Sequence, residues 1–198
     1  MENKIDTLTK FFYEIGGLRF VLRAHQKTLL VNNPTDNIAS HSFRVAFIGY
    51  FLAKELGADA DKVLKMCLLH DIEEVRSGDM NWLNKKYVKV FGDEIRKDQL
   101  EGLPHSEEFL QLSEEYSERQ TQEAKIAKDA DLLDQVLLLR EYSQSGNKEA
   151  EHWLHEDGEG ECQQIKLMTF DLTKQIAQEA IKQKPSDWWE NVWTSKNR

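Results

Sequence analysis

The stretch from Leu64 to Val75 joins an apolar run to a cluster of residues that can do chemistry. Its apolar part predicts a buried helix, and His70 and Asp71 stand side by side at the polar end of that helix. A neutral imidazole next to a carboxylate is a donor pair that suits a divalent metal ion. Glu74 follows four residues after His70, so it shares the same face if the helix continues, and it is then a candidate for proton transfer.

Two further polar residues stand on segments that are otherwise apolar. His41 lies near the start of one predicted helix, and Asp131 lies between Ala130 and Leu132 in another. Of the three aspartates in residues 128–134, we expect Asp131 to point inward, and a buried carboxylate requires a cation. Each of these residues also has an alternative interpretation. His41 could be an interior histidine that is hydrogen-bonded, and Asp131 could form a salt bridge or belong to an exposed acidic face. The pair at positions 70 and 71 could be a helix cap or a surface charge.

A turn follows the first cluster. In Arg76-Ser77-Gly78-Asp79, the glycine permits a tight backbone and Asp79 presents a carboxylate from a loop. An Asx-turn, or a cap for the next helix, is the alternative interpretation of Asp79.

Helical periodicity runs through the chain, and no long segment alternates with the period of a strand. We therefore predict an all-α fold with about seven to nine helices in a single domain over residues 1–198. The helix that carries His41 has a wide apolar face that we expect to be buried. That face consists of Phe43, Ala46, Phe47, Tyr50, Phe51 and Leu56. Asp36 or Asn37 is expected to cap this helix, and Asp59 or Asp61 the next one.

Weaker signals lie outside these helices. Short helices are expected around residues 81–90 and 104–117, and a last amphipathic helix from Ile165 to Ile181. The motif-bearing core covers residues 18–145, and residues 161–198 form a C-terminal helix and a tryptophan-rich tail. The tail's Trp188, Trp189 and Trp193 suit a cover for the domain or for a partner subunit, and a homodimer is left open.

Composition excludes several classes of protein. A net charge of −9 argues against sequence-independent binding to nucleic acid, which needs basic patches. A small phosphorylated substrate remains compatible, because a metal ion and one or two local cations can hold it. No run is long and apolar enough for a membrane span, and no signal peptide is recognised at the N-terminus. Two cysteines imply no disulfide framework, and a cytoplasmic protein is expected.

The order of these residues resembles the HD-domain metal-dependent phosphohydrolases, in which a His, a His-Asp pair and a distant Asp all stand on helices. Here they are His41, His70 with Asp71, and Asp131. Within that superfamily the chain is most similar to the 5′-deoxynucleotidase branch, which includes HD domain-containing 2 and YfbR-like proteins. The segments that suggest this branch are His70-Asp-Ile-Glu-Glu-Val75, Ser77-Gly-Asp79 and Lys128-Asp-Ala-Asp131.

The resemblance implies an enzyme that removes phosphate from nucleoside or deoxynucleoside 5′-monophosphates. It implies one divalent metal ion, which is Mn, Co, Fe, Ni, Zn or Mg, held by the two histidines and the two aspartates. Glu74 is then the general acid or base, and Asp79 positions the attacking water or touches the sugar. Arg23 falls near the phosphate-contacting arginine of the branch. The chain departs from the branch at two positions: Ala24 rather than a tryptophan follows Arg23, and Ser40 precedes the first ligand where the branch often has an acidic residue.

Two other functions stay open on the sequence alone. One is an HD hydrolase that acts on another phosphoester, such as a pyrophosphorylated guanosine alarmone or a cyclic nucleotide. Alarmone hydrolases resemble this pattern with two acids at the fourth and fifth positions after the metal histidine, where this chain has Glu74 and Val75. The other is a non-catalytic metal-binding or interaction module, against which the acids Glu74 and Asp79 beside the ligands argue.

Overall fold

The computed structural model describes residues 2–155, 162–190 and 192. The α-helices in these ranges are α1 Glu2–Gly16, α2 Gln26–Leu29, α3 Ile38–Glu55, α4 Ala60–Leu69, α5 Glu74–Ser77, α6 Trp82–Lys85, α7 Gly92–Leu100, α8 Ser106–Glu118, α9 Gln122–Gln144, α10 Lys148–His155, α11 Gln163–Leu167 and α12 Asp171–Lys182. Short 3-10 turns cover Gly17–Phe20 and Asp187–Trp189. Eight of the helices described have eight or more residues and none of the described segments is a strand, which confirms the predicted all-α fold. None of these helices is both long and apolar enough to cross a membrane.

Two compact units divide the chain within α9. The first unit is Met1–Ala130 and the second is Asp131–Arg198. The first unit contains α1 to α8 and the beginning of α9, and the second contains the rest of α9 with α10 to α12. The single domain over residues 1–198 stays a prediction.

Helices α3 and α4 pack tightly against each other in the first unit. Asn37 caps α3 by accepting a hydrogen bond from the Ser40 N–H at 3.0 Å, and Asp59 caps α4 by accepting from the Lys62 N–H at 3.0 Å. A β-carbon at Gly49 of α3 would lie 2.5 Å from Cys67 Sγ of α4, so only glycine permits this close approach. The tight contact holds the His41 helix against the helix that leads to His70.

The buried face of α3 differs from the predicted one. Its buried residues are Ile38, His41, Ser42, Val45, Ala46, Gly49, Leu52 and Ala53. Phe43, Phe47 and Phe51 lie on the opposite side and are 66%, 54% and 62% exposed, so their predicted burial was wrong. The reason is that α3 is apolar around most of its circumference, and its small residues rather than its large ones allow the close approach to α4.

Two other segments also differ from the prediction. Helix α7 was not predicted, because its buried residues include the polar Arg96 and Gln99, which hydrophobic periodicity does not detect. The expected helix from Ile165 to Ile181 is divided into α11 and α12 by the extended residues around Met168. In the tail, Trp188 is 74% exposed, and Trp193 lies outside the described residues.

Candidate metal centre and active site

Three of the candidate ligands converge where α4 ends. His41 Nε2, from α3, lies 3.2 Å from His70 Nε2 and 3.6 Å from Asp71 Oδ2. His70 Nε2 lies 3.0 Å from the same Asp71 oxygen. The two histidine side chains are each 2% exposed and that of Asp71 is 20% exposed, so the cluster is buried on one side and opens at the carboxylate. Such a group of donor atoms, all within 4.8 Å of one another, can hold a metal ion.

The hydrogen bonding of His70 suits a metal ligand. Its Nδ1 lies 2.7 Å from the Cys67 carbonyl oxygen, which can only accept, so Nδ1 carries the hydrogen. In the neutral ring the lone pair is then on Nε2, which faces His41 and Asp71. A backbone carbonyl that fixes the tautomer of a ligating histidine is a common feature of metal sites. This donor chemistry, with two imidazole nitrogens and a carboxylate oxygen, fits a divalent transition-metal ion.

The backbone turns directly after these ligands. Helix α4 ends at Leu69, and residues 70–73 form turns before α5 begins at Glu74, so the continuous helix that would put Glu74 on the face of His70 is not formed. The Glu74 N–H donates to the Asp71 carbonyl at 3.2 Å, three residues back rather than four. The helix is interrupted here because side chains from elsewhere in the chain form hydrogen bonds with residues 70–73. One of them is Gln99, whose side-chain amide donates to the Ile72 carbonyl at 3.1 Å.

Glu74 has an unusual environment. Its Oε2 is buried and has no hydrogen-bond partner within the part of the chain that the structure describes. Burial, and then the charges of Asp71 and Asp79, raise the pKa of Glu74 to about 10, although the Arg23 guanidinium acts in the opposite direction. Without a bound cation, Glu74 therefore carries a proton at neutral pH. A divalent ion bound nearby would lower this pKa, because positive charge favours the carboxylate.

Arg23 and Asp79 lie beside the ligand cluster. Arg23 Nη1 is 3.7 Å from Asp71 Oδ2, and Arg23 Nε is 3.6 Å from Asp79 Oδ2. The Ala24 N–H donates to the same Asp79 oxygen at 2.7 Å. The Asn81 side-chain amide donates to the Ala24 carbonyl at 3.1 Å, so the backbone after the arginine is held from both sides. The loop after α5 thereby orients the guanidinium toward a candidate ligand.

Buried polar contacts hold the loop after Arg23 in place. His25 is buried, with 5% of its surface exposed. Its Nε2 lies 2.8 Å from Oδ2 of Asp36, which is also buried. The two residues are eleven positions apart and belong to no helix in common, so helical spacing could not have paired them.

The acids of α9 do not follow the predicted order of burial. Asp129 is 0% exposed and Asp134 is 3% exposed, whereas Asp131 is partly exposed. The expectation that Asp131 is the most inward of the three was wrong, because α9 has buried residues on all sides and apolar neighbours do not identify its inner face. Asp131 begins the second unit, and its assignment as the fourth metal ligand stays a prediction.

A buried polar network supports the turn from the α7 side. Arg96 Nη1 pairs with Glu73 Oε1 at 2.7 Å, and the two side chains are 11% and 15% exposed. Gln99 donates to the Ile72 carbonyl at 3.1 Å and to Glu14 Oε1 at 3.0 Å. Burial raises the pKa of Glu73 more than the Arg96 guanidinium lowers it. These contacts fix the two residues between Asp71 and Glu74, and they were not predicted because α7 itself was not predicted.

Replacing Gln99 by leucine tests this support. The variant loses the hydrogen bonds to Ile72 and Glu14, so we expect the free energy of unfolding to fall by about 1–3 kcal/mol. Metal affinity should fall on the order of tenfold, as for other groups that orient ligands without binding the ion. Denaturant unfolding and calorimetric titration with Mn²⁺ measure the two effects. Gln111→Leu, at an exposed position of α8, is the matched control, and equal affinities in the two variants would contradict the role.

Comparison with known proteins gives a consistent set of similarities. The HD domain family matches residues 15–168. The chain is 29% identical over 155 residues to 5′-deoxynucleotidase VV1113 of Vibrio vulnificus, covering 70% of this chain and 77% of that protein. It is 26% identical over 146 residues to 5′-deoxynucleotidase HDDC2 of Mus musculus, covering 71% and 72%. A solved structure of a conserved hypothetical protein from Pyrococcus furiosus is 29% identical with a TM-score of 0.70, covering 88% of this chain and 99% of that one.

Proposed function

Because the chain belongs to the HD domain family, we propose that it is a metal-dependent phosphohydrolase that removes phosphate from nucleoside 5′-monophosphates, with the deoxy series preferred. The observation that carries this proposal is the position of Arg23, whose guanidinium nitrogen lies 3.7 Å from Oδ2 of the candidate ligand Asp71. A partly buried arginine beside a set of metal donors suits a doubly charged phosphate, which requires several cationic groups. The names of the two relatives, both 5′-deoxynucleotidases, support the substrate class.

We assign the metal ligands to His41, His70 and Asp71, with Asp131 as a fourth. Two imidazoles and two carboxylates would suit Mn, Fe, Co, Ni or Zn, with Mg less natural. When bound, a divalent ion supplies positive charge that polarises the phosphoryl oxygens and makes water more acidic. The structure supports this assignment through the convergence of the first three side chains.

The chain's own residues then divide the remaining work. Arg23 binds the phosphoryl oxygens and offsets the charge that develops on them. Asp79 holds the arginine in place through the Ala24 N–H, and we assign it a second role in orienting the attacking water or the sugar. Water adds to phosphorus as the bond between phosphorus and the 5′ oxygen breaks, so the leaving oxygen needs a proton. Glu74, whose pKa is raised in the metal-free protein, is the group that donates this proton, and it is protonated again from solvent, which also receives the proton that the attacking water loses.

Phosphate release by the purified protein is the direct test of this proposal. The protein is stripped of metal, supplied with Mn²⁺, Co²⁺ or Mg²⁺, and given ribonucleoside and deoxyribonucleoside 5′-monophosphates, with an alarmone and a cyclic nucleotide as alternative substrates. We expect metal-dependent release from the 5′-monophosphates and faster release in the deoxy series. Turnover of the alarmone or the cyclic nucleotide alone would replace the proposed substrate class. Metal binding without turnover of any substrate would indicate a non-catalytic module.

Replacing Arg23 by alanine tests how phosphate is held. A charge-assisted hydrogen bond contributes about 1.5–3 kcal/mol, so we expect KM for a nucleoside monophosphate to rise roughly tenfold to a hundredfold. Metal content should stay as in the wild type. Steady-state kinetics measure the effect, and Arg19→Ala, which removes an exposed arginine four residues earlier, is the control. An unchanged KM in Arg23→Ala would mean that another group binds the phosphate.

A further inference from the structure

A tyrosine of α8 packs against the candidate ligand His70. The Tyr116 and His70 rings meet edge to face, with centroids 5.7 Å apart and planes inclined at 67°. Tyr116 is only 7% exposed, so this contact is buried. The centroid of the His70 ring also lies 5.2 Å from that of His41, the second candidate imidazole ligand. His70 therefore has two aromatic neighbours, and one of them is a tyrosine that the proposed mechanism does not use.

One hydrogen bond does not by itself fix the orientation of the His70 ring. The bond from Nδ1 to the Cys67 carbonyl selects the nitrogen that carries the hydrogen. The last side-chain torsion of a histidine has broad energy wells, so the plane of the ring needs a second contact. A small pocket borders the ring between α4 and α8, and Ser113 Oγ in its wall makes no hydrogen bond within the described ranges. The Tyr116 ring supplies the second contact from the α8 side.

An arginine at the end of α8 holds Tyr116 in turn. The central carbon of the Arg119 guanidinium lies 3.6 Å from the centroid of the Tyr116 ring, which is the geometry of a cation–π contact. Arg119 caps the helix with φ of +57°, in the left-handed conformation for which glycine is the usual residue at a helix end. An arginine at such a position has a backbone cost that a glycine would not have. The contact with the tyrosine ring offsets this cost.

We propose that Tyr116 is a positioning residue for His70, and that its ring, held by Arg119, keeps the imidazole plane in the orientation that directs Nε2 toward the metal site. This inference rests on the proposed function, because it takes His70 to be a metal ligand. Tyr116 acts through the histidine and not on the phosphate. Its loss should therefore weaken metal binding and leave KM for the nucleotide unchanged at saturating metal.

Calorimetric titration with Mn²⁺ tests the role of the tyrosine ring. Tyr116→Leu keeps an apolar side chain but removes the ring, and we expect the dissociation constant of Mn²⁺ to rise on the order of tenfold. Tyr116→Phe retains the aromatic contact and should stay within about twofold of the wild type. A wild-type dissociation constant in Tyr116→Leu would overturn the proposal. An equal rise in Tyr116→Phe would assign the effect to the hydroxyl group and would overturn it as well.

Leu112→Ala separates positioning from a general loss of stability. Leu112 is a buried residue one turn before Tyr116 in α8, and its truncation leaves a cavity that lowers the Tm. We expect the Tm of Leu112→Ala to fall at least as far as that of Tyr116→Leu, whereas its Mn²⁺ affinity should be that of the wild type. If both variants lost Mn²⁺ affinity equally, the effect would belong to the packing of the helix and the proposal would be wrong.

Nuclear magnetic resonance of the metal-stripped protein gives a readout that needs neither metal nor turnover. At about pH 8.5, where ordinary imidazole side chains are neutral, long-range ¹H–¹⁵N correlation spectra report which ring nitrogen carries the hydrogen. We expect His70 to carry it on Nδ1 in the wild type and in Tyr116→Phe. The fraction with this hydrogen should fall in Tyr116→Leu, because a ring that turns loses its bond to the Cys67 carbonyl. An unchanged fraction would contradict the positioning role.

Arg119→Gly tests how the tyrosine itself is held. Glycine adopts the left-handed conformation without strain, so the Tm of this variant should equal or exceed that of the wild type. Loss of the cation–π contact should nevertheless lower the fraction of His70 with hydrogen on Nδ1. A lower Tm with an unchanged His70 spectrum would make Arg119 a helix cap only and would overturn its proposed role. A wild type that binds no Mn²⁺ would contradict the proposed function, and the spectra would still test the contact between Tyr116 and His70.

Discussion

Asp71→Ala protein, stripped of metal and then reloaded, is expected to bind no divalent ion and to release no measurable phosphate. Asp71 supplies the only carboxylate among the three converging side chains, with Oδ2 3.0 Å from His70 Nε2 and 3.6 Å from His41 Nε2. The two buried imidazoles carry no negative charge, so after the substitution only the proposed fourth ligand, Asp131, would be left to offset the charge of a divalent ion. The loss of metal affinity should be larger than the roughly tenfold to hundredfold loss expected when a group that only orients a ligand is removed.

Metal content and thermal unfolding measure the Asp71 effect independently of turnover. An ion present at a hundred times its dissociation constant stabilises the folded protein by about 2.7 kcal/mol. We expect Mn²⁺ to raise the Tm of the wild type and to leave that of Asp71→Ala unchanged. Asp61→Ala, which removes an exposed acid from α4, is the matched control and should respond as the wild type does. An Asp71→Ala protein that binds Mn²⁺ with wild-type affinity would remove Asp71 from the site.

The meeting of His41, His70 and Asp71 was predictable because each of these residues interrupts an apolar segment. A polar side chain on a buried helix face is costly unless something satisfies it, and a common partner is the simplest explanation for several such residues. Helix ends were predictable for a similar reason, since Asn37 and Asp59 are short polar side chains at the first positions of apolar helices. In both cases the residue type and its immediate neighbours in the sequence were sufficient for the prediction.

Long-range polar contacts were not predictable in the same way. Arg96 and Glu73 are far apart in sequence, and each would be read as a surface charge until the other is placed beside it. The pairing of His25 with Asp36 has the same character. Hydrophobic periodicity detects segments that bury apolar area, so a helix such as α7, whose buried side includes a guanidinium and an amide, gives almost no signal.

The phenylalanines of α3 show the converse limit. Apolar residue types predict burial, but they do not identify what covers the residue. Gly49 and Ala53 lie on the buried side of α3, where their small size lets neighbouring helices approach closely. The large Phe47 lies on the exposed side. Sequence patterning predicted an apolar helix correctly, and only the three-dimensional packing showed that one of its faces is exposed.

Arg23 combines the local and the long-range contributions to the site. Its identity as a candidate came from the resemblance of the sequence, and its position beside Asp71 came from the structure. Asp79, which follows Gly78, accepts the Ala24 N–H and so connects the loop after α5 to the loop after the first 3-10 turn. Gly78 has φ of +74°, a backbone conformation that other residues rarely adopt, so the glycine is needed to present this carboxylate. We therefore expect the loop around Gly78 to control the position of the arginine.

Glu74→Gln is expected to keep the metal ion and to lose most of its turnover, with kcat lower by about a hundredfold to ten-thousandfold. Glutamine has nearly the same shape as glutamic acid but cannot donate the proton that the leaving oxygen needs. Steady-state kinetics and metal analysis of the same sample measure the two effects. Glu114→Gln, at an exposed position of α8, is the control and should match the wild type. Unchanged turnover in Glu74→Gln would remove Glu74 from the chemistry.

The stability of metal-stripped protein gives a second, independent test of the Glu74 environment. Burial and the nearby Asp71 and Asp79 raise the pKa of Glu74 from its ordinary value of 4.5 to about 10, so folding favours the protonated carboxyl group. The stability linked to this proton is fully present below the unfolded pKa and is lost as the pH rises toward the folded one. Glutamine stays neutral throughout, so the Tm of Glu74→Gln should exceed that of the wild type by a margin that grows between about pH 5 and pH 9. A margin that stayed constant over this range would show that Glu74 is already ionised in the folded protein and cannot serve as the proton donor.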